Sequence, residues 1–301
     1  MPASPSLPAA ARRALRRTTA QVPALAATLW RHASGHRFAL VREQAAAVPA
    51  GAAASVRFRC NLCGHANRVG AARIERETPS CSVCGSTVRF RAIGRLVTRE
   101  VLGTDDLLVD IDPDRSVRGL GLSDAGVYAR PLARAFDYRN TYFHRRPRLD
   151  VLDIPDVLHG RFQFVIASDV FEHIVPPVAR AFANVRKLLA PRGVFIFTAP
   201  FTLEGDTLEH FPDLHEWRIE QHDQRRRLSN TTLDGRRQTF DDPVFHGGRG
   251  TTLEMRVFTL AALRREFATA GFARIRVADE PCEASGIAWP DTTSVPIVAY
   301  A

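Results

Sequence analysis

Residues 161–201 read RFQFVIASDVFEHIVPPVARAFANVRKLLAPRGVFIFTAPF and contain two short apolar runs with an amphipathic segment between them. The runs at 162–167 and 194–198 are typical of parallel strands that are buried on both faces. Apolar residues recur at helical spacing over 178–189, and Pro191 and Gly193 then give a helix stop signal. A strand, a crossover helix and a second strand form a right-handed unit with parallel strands. The stretch therefore predicts an α/β fold with a doubly wound, mostly parallel sheet.

Polar side chains come after both predicted strands, at the carboxyl edge where open sheets of this kind bind ligands. Asp169, Glu172 and His173 come after the first strand, and residues 200–204 come after the second. A purely structural interpretation also fits, in which Glu172 and His173 cap the helix and fill a polar niche. The edge is nevertheless the predicted site.

The patterns FVIASDVFEHI and NVRKLLAPRGVFIFTAPF resemble the central segment of class I S-adenosylmethionine-dependent methyltransferases. That segment has a strand, a Glu-His element, a helix that ends in a Pro-Gly turn, and another strand. Pro191, Arg192 and Gly193 stand in the turn here. The resemblance implies a Rossmann-like fold, S-adenosylmethionine as cofactor and methyl transfer as the reaction. It makes Asp169 and His173 candidate catalytic residues, and Asp169 also a candidate cofactor ligand.

Two cysteine pairs carry the sharpest chemical signal in the chain. They are Cys60-Asn-Leu-Cys63-Gly64 and Cys81-Ser-Val-Cys84-Gly85, with seventeen residues between them. The spacing is that of a four-cysteine zinc ribbon, which we predict over residues 56–92. Four thiolates fill a tetrahedral Zn²⁺ and leave no open position, so the predicted ion is structural. Redox activity of the pairs is the alternative.

The ribbon is expected to contain a small hairpin, because Val56, Phe58, Val88 and Phe90 alternate with arginines. A helix is predicted over 91–102. The pattern CSVCGSTVRFR with a helix after it is similar to bacterial proteins that join a zinc ribbon to a methyltransferase domain. We therefore predict three parts: an Ala/Arg-rich segment with a helix and linker at 1–55, the ribbon at 56–92, and a methyltransferase-like domain at 93–301 with an insertion at 202–252.

Further strands are predicted at 117–123, 138–143 and 149–152, with a helix at 127–136. The first strand of the resembling family ends in a glycine-rich loop that approaches the cofactor. The candidate cofactor residues that this resemblance implies here are Gly119, Gly121, Ser123 and Asp124, although the usual GxGxG loop is absent. The second strand lacks the family's ribose-binding acid and carries Tyr142, Phe143 and His144 in that region.

The segment LDVLDIP has the spacing of a turn in the same family. The match implies that Asp150 meets the adenine amino group, with Asp153 beside it in the turn. Both aspartates also suit a turn or a helix cap without any ligand.

The predicted insertion contains EHFPDLHEW, in which His210 or His215 could act as a general base. His210, His215 and His222 could together hold zinc, but their spacing matches no compact motif. Residues 257–279 after the insertion are similar to the closing helix and strand of the family's fold. His210 therefore joins Asp169 and His173 as a candidate catalytic residue.

Composition sets the remaining limits. The chain has 301 residues, and no run approaches the roughly 18 consecutive apolar residues that a membrane-spanning helix needs. Five cysteines, four of them in two CxxC pairs, fit a reducing compartment, and we expect a cytoplasmic location.

Residues 1–100 contain sixteen arginines and four glutamates in a chain of net charge +9, so nucleic acid is a possible partner. Arginine outnumbers lysine forty to one, however, which indicates a general compositional bias.

Three functions remain open on the sequence. The leading hypothesis is a methyltransferase that acts on a small-molecule or carbohydrate-like acceptor. The alternatives are an RNA methyltransferase that uses the basic N-terminal half and the ribbon, and an inactive binding module. We find no GxSxG, Walker A or HExxH motif that would indicate another reaction class. The oligomeric state is left open.

Overall fold

The computed structural model describes residues 55–222, 225–246, 252–290 and 294–301. The helix and linker predicted within residues 1–55 therefore lie almost wholly outside the described residues. The described chain divides into two compact units. The sheet unit contains residues 55–171, Val178–Asp206 and Phe258–Ala301, and the insertion unit contains Glu172–Pro177 and Thr207–Val257.

Helices and strands alternate through the first part of the chain. They are β1 (Ser55–Arg59), β2 (Ala66–Gly70), α1 (Val88–Val97), β3 (Asp114–Leu122), α2 (Gly126–Ala135), β4 (Phe136–Thr141), β5 (Phe162–Ser168), α3 (Ala179–Leu188) and β6 (Leu189–Thr198). Short strands dominate the second part of the chain. They are β7 (Phe201–Thr202), β8 (Leu208–Glu209), β9 (Glu216–His222), β10 (Arg225–Thr231), β11 (Arg237–Asp241), β12 (Phe245–His246), β13 (Thr252–Leu253) and β14 (Arg256–Thr259), before α4 (Leu260–Thr269), β15 (Arg274–Val277) and β16 (Ile297–Tyr300).

The central sheet has six strands in the order β15-β16-β6-β5-β3-β4. Strands β4, β3, β5 and β6 are parallel neighbours. Strand β16 is antiparallel to both β6 and β15. The predicted α/β fold with a mostly parallel sheet is confirmed, and the carboxyl ends of four parallel strands lie along one edge.

Both faces of this sheet are covered, as the apolar runs predict. Along β6, Val194 and Ile196 belong to a core cluster that includes Tyr128 of α2. Phe195 and Phe197 point the other way and pack against Phe267 of α4. Each fully buried side chain of this size contributes roughly 1.5–3 kcal/mol to folding. Burial on both faces of the sheet therefore explains why 194–198 is apolar at almost every position.

The cysteine-containing segment is part of the sheet unit. Strands β1 and β2 form an antiparallel hairpin of five residue pairs. Helix α1 comes next in the chain, and the side chain of Thr87 caps it by accepting a hydrogen bond from the Phe90 amide. Phe58 and Cys60 belong to the same core cluster as Val194 and Ile196. The segment is thus packed on the α/β core.

The insertion unit has its own small core. Strands β9, β10 and β11 form a three-stranded antiparallel sheet. Trp217 of β9 and Leu228 of β10 are buried with Phe211, Leu253 and Met255. Most of the insertion predicted at 202–252 thus belongs to a β-rich unit, which begins at Thr207 and also includes residues 172–177 and 253–257.

The predicted strand at 149–152 is wrong. Asp150 accepts a hydrogen bond from the Leu152 amide at 3.0 Å, and its carbonyl accepts one from the Asp153 amide at 2.9 Å. An aspartate side chain that satisfies nearby backbone amides favours a turn over a strand. The pairing near this region is an isolated bridge between Tyr142 and Arg148.

Two other details differ from the prediction. Val88 and Phe90 lie in α1, because the Thr87 cap starts the helix there and Val88 packs with Ala92 one turn later. The partner of β1 is instead β2. Strand β16 was not predicted from the sequence, because its four residues are too short a run to stand out.

Among the described residues, no helix combines the length and the apolar character that a membrane span requires.

Candidate functional site

Asp169 comes directly after β5 and is fixed in place by its neighbours at the carboxyl edge. Its carboxylate accepts hydrogen bonds from both terminal nitrogens of Arg76, at 2.7 and 3.1 Å, and from the Thr198 hydroxyl at 2.8 Å. Burial raises the pKa of Asp169, but the charges of Arg76 and Arg89 outweigh it and hold the pKa well below its usual range. An anion held so firmly suits binding and electrostatics better than proton transfer.

Arg89 extends this ion-pair group. Its Nε and Nη2 atoms donate to the two carboxylate oxygens of Glu77 at 2.6 and 2.7 Å, and Nη1 donates to the Ser168 hydroxyl at 2.5 Å. Arg76, Glu77 and Arg89 all come from the segment predicted as the zinc ribbon. Sequence reasoning missed them, because nothing local to these residues shows that they reach the end of β5.

The glycines predicted to approach the cofactor have packing roles. A Cβ atom on Gly119 would overlap the ring of Phe164, and one on Gly121 would overlap the Tyr138 hydroxyl and the Asp124 carboxylate. Packing inside the protein therefore explains why both residues are glycine, without any contact to a cofactor.

Asp124 is buried beneath the same loop. One carboxylate oxygen accepts a hydrogen bond from the Tyr128 hydroxyl at 2.7 Å, and the other accepts one from Tyr138. Burial raises the pKa of Asp124 to about 7, against the lowering effect of the two tyrosines. Its carboxyl group thus belongs to an internal network within the sheet unit.

Three other predicted cofactor residues lie nearer to solvent. Ser123 is exposed, with a left-handed backbone (φ +64°), and comes directly after β3. Asp150 is partly exposed and Asp153 is exposed in the turn described above. One Asp150 oxygen accepts the Leu152 amide, and a carboxylate retains further acceptor capacity. The Ser123 hydroxyl and the carboxylates of Asp150 and Asp153 are therefore accessible to a ligand.

The four predicted metal ligands converge. The Sγ atoms of Cys60 and Cys84 are 3.6 Å apart, as are those of Cys63 and Cys81, and all four lie within 4.8 Å of one another. A disulfide would need about 2.05 Å. Tetrahedral zinc at about 2.3 Å from each sulfur requires sulfur–sulfur distances of about 3.8 Å. The cluster therefore fits a four-thiolate metal site.

The turns that present these sulfurs have the expected backbone. Gly64 and Gly85 come after the second cysteine of each pair with φ of +77° and +68°. Their amides donate to the carbonyls of Cys60 and Cys81, at 2.7 and 3.0 Å. Only glycine adopts this conformation without strain, so the CxxCG pattern is explained by the turn itself.

A buried arginine lies beside the sulfur cluster. Arg91 is fully buried, donates to the carbonyls of Ser86 and Gly286 at 2.9 and 2.7 Å, and stacks on the ring of Phe58. The Ser86 hydroxyl that Arg91 also contacts lies 3.3 Å from the Cys60 sulfur. A buried cation of this kind complements the negative charge of a metal held by four thiolates.

The insertion unit holds the remaining predicted residues. His210 donates from Nε2 to Glu254 at 2.8 Å, and His246 donates from Nε2 to the other Glu254 oxygen at 2.6 Å. Burial raises the pKa of Glu254, but the hydrogen bonds from the two histidines lower it to about 2. His173 contacts the Leu253 carbonyl through Nδ1 at 2.9 Å. Sequence reasoning missed Glu254, which lies 44 residues from His210.

The fold and the carboxyl edge define an α/β protein of the class that binds ligands at the ends of parallel strands. Residues 107–277 match the methyltransferase domain family, which is more than half of the 301 residues. The chain belongs to this family and is a methyl-transferring enzyme.

Several solved structures resemble the chain at low sequence identity. An S-adenosylmethionine-dependent methyltransferase from Clostridium acetobutylicum is 14% identical over 61% of this chain and 82% of its own, with a TM-score of 0.34. The sugar N-methyltransferase KedS8 from Streptoalloteichus is 15% identical over 72% and 88%, with a TM-score of 0.42. The amino pentose methyltransferase CalS10 from Micromonospora echinaspora is 18% identical over 70% and 94%, with a TM-score of 0.35. No curated protein matches the chain. The family assignment therefore rests on the domain match.

Proposed function

We propose that this protein transfers a methyl group from S-adenosylmethionine to a small-molecule or carbohydrate-like acceptor. The observation that carries the proposal is the coincidence of the family match with the carboxyl edge of four parallel strands. When bound, the cofactor supplies an activated methyl group on a sulfonium. The protein then has to bind the acceptor, align it with the methyl group and exclude water. It needs no nucleophile of its own.

The groups at the edge match the chemistry of the proposed cofactor in two places. Asp169 with Arg76 offers a carboxylate and a guanidinium side by side, which complements the ammonium and carboxylate of an amino acid. Asp150 and Asp153 offer accessible carboxylates for the donors of the adenosine. The loop after β3 is packed on its inner side by Gly119, Gly121 and Asp124. Ser123 is the exposed polar residue of this loop.

We further propose His210 as the base that removes a proton from the acceptor. Because Nε2 of His210 donates to Glu254, the neutral imidazole carries its lone pair on Nδ1. Glu254 fixes the ring and stabilises the imidazolium that forms when Nδ1 takes a proton. The low pKa of Glu254 keeps this carboxylate ionised at neutral pH.

The cysteine cluster is proposed to hold a structural Zn²⁺. Its sulfur–sulfur distances, its two glycine turns and the adjacent Arg91 all suit a four-thiolate site. Thiolates of this kind persist in a reducing compartment, which supports the cytoplasmic location that we propose.

The described arginines favour a small acceptor over RNA. Between residues 55 and 100, Arg91 is buried and five of the nine arginines pair with carboxylates; these five are Arg59, Arg76, Arg89, Arg95 and Arg99. Neutralised arginines contribute little to the release of counterions that drives binding to phosphates. Ion pairs within the chain thus take up just over half of the arginines in this segment.

The acceptor class is tested with methyl-labelled S-adenosylmethionine. The enzyme is incubated with a fraction of small metabolites, including free sugars and amino sugars, and separately with total RNA. We expect label in the small-molecule fraction and none in RNA. Label in RNA alone would indicate an RNA methyltransferase instead, and label in neither fraction would contradict the proposal.

A further inference from the structure

The insertion unit contains a second group of metal-ligating side chains, distinct from the cysteine cluster. Glu172, His173 and His246 each offer one ligand atom, and these atoms all lie within 4.8 Å of one another. The Nε2 atom of His173 is 3.9 Å from Glu172 Oε1, and the rings of His173 and His246 are 5.0 Å apart. Ligand atoms about 2.1 Å from a tetrahedral ion are separated by about 3.4 Å. Small side-chain movements would therefore complete the coordination.

The outer contacts of both histidines are those of metal ligands. A ligating histidine usually donates its other ring N–H to a carbonyl or a carboxylate, which fixes the tautomer and the ring orientation. His173 contacts the Leu253 carbonyl through Nδ1, and His246 contacts the Glu254 carboxylate through Nε2. With these tautomers, the nitrogen that carries the lone pair is Nε2 in His173 and Nδ1 in His246, and a metal would be bound through these atoms.

The surroundings also favour a metal over a solvated polar patch. The Glu172 side chain is fully buried, and the side chains of His173 and His246 are 15% and 20% exposed. Glu254 is shared between His246 and His210, so a further layer of hydrogen bonds supports the group. Layered support of this kind holds ligands in a fixed geometry.

We propose that Glu172, His173 and His246 bind one divalent transition-metal ion of the zinc type. Two histidines and one carboxylate leave a fourth position open for water or for an oxygen of a bound small molecule. The site goes beyond the proposed methyl transfer, which requires no metal. It also differs from the cysteine cluster in using nitrogen and oxygen ligands only.

Cobalt titration of the full-length protein, purified with its cysteine cluster loaded with zinc, tests the proposal. Co²⁺ in a nitrogen–oxygen site gives visible ligand-field bands without the thiolate-to-cobalt charge-transfer bands that cysteines produce. We expect saturation at one Co²⁺ per chain with ligand-field bands alone. Charge-transfer bands alone would show exchange into the cysteine cluster and would overturn the proposal.

Two pairs of variants assign the ligands. Glu172→Gln and His246→Ala should each weaken Co²⁺ binding at least about tenfold. The matched controls Glu216→Gln and His159→Ala change the same residue types outside the proposed site and should bind as the wild type does. An unchanged circular dichroism spectrum and a cooperative urea transition verify that each variant is folded. Equal Co²⁺ affinity in Glu172→Gln and Glu216→Gln would contradict the assignment, and the wild-type spectrum decides the case if a variant fails to fold.

Discussion

Gly121 shows how a single residue can carry a signal with two explanations. A glycine at the end of the first strand suggests a close approach by a ligand, and the family resemblance supports that interpretation. In the structure the space beside Gly121 is filled by Tyr138 and Asp124, which are hydrogen-bonded to each other. Internal packing is therefore sufficient to explain the glycine.

Gly121→Ala is predicted to destabilise the protein by roughly 1–3 kcal/mol, the usual range for an overpacked core. The added methyl group must displace buried side chains that are held by hydrogen bonds. Urea denaturation gives the free energy of unfolding. Gly126→Ala is the control, because the nearest atoms to a Cβ there are Arg130 side-chain atoms at ordinary contact distances, from 3.6 Å. Equal stability of the two variants would refute this account of Gly121.

At the scale of elements, the local sequence pattern was sufficient to predict those helices and strands whose structure depends mainly on their own residues. The strand, helix and strand of 161–201 appear as predicted in β5, α3 and β6, because apolar periodicity is a local property. The cysteine turns were equally local. Val88 and Phe90 were misassigned because alternation over a few residues suits a strand and the first turn of a helix alike.

The polar contacts of the site could not be predicted in the same way. Arg76 meets Asp169 across 93 positions of sequence, and His173 meets Leu253 across 80. Such pairs depend on how folded elements pack, and nothing in the residues around Arg76 specifies its partner. The sequence thus indicated Asp169, His173 and His210 as candidates but did not show which residues contact them.

The metal that we propose for the cysteine cluster should stabilise the sheet unit, because Phe58 and Cys60 belong to the core of that unit. We predict that Cys84→Ser lowers the zinc content by one ion per chain and the free energy of unfolding by at least about 3 kcal/mol. Metal analysis and urea denaturation measure these two changes. Cys282→Ser, outside the cluster, should keep the zinc and most of the stability. Unchanged zinc content in Cys84→Ser would show that the cysteines hold no metal.

At the scale of the whole molecule, each of the two units has a polar centre of its own. The sheet unit has the ion pairs of Asp169 at its carboxyl edge, and the insertion unit has histidines organised around Glu254. Five of the nine arginines between residues 55 and 100 pair with carboxylates of the same chain. This distribution suits an enzyme that binds small ligands more than one that tracks a phosphate backbone.

Calorimetric titration of the full-length protein with S-adenosylmethionine tests whether the carboxyl edge of the sheet binds this cofactor. Asp150→Asn keeps the oxygen that the Leu152 amide needs but loses a charged acceptor, so its affinity should fall about tenfold. Asp156→Asn, whose side chain is almost fully exposed a few residues further along the chain, is the control. We expect saturable binding of one cofactor per chain by the wild type and by the control, with weaker binding by Asp150→Asn. The absence of heat and of any thermal shift at saturating cofactor would contradict it.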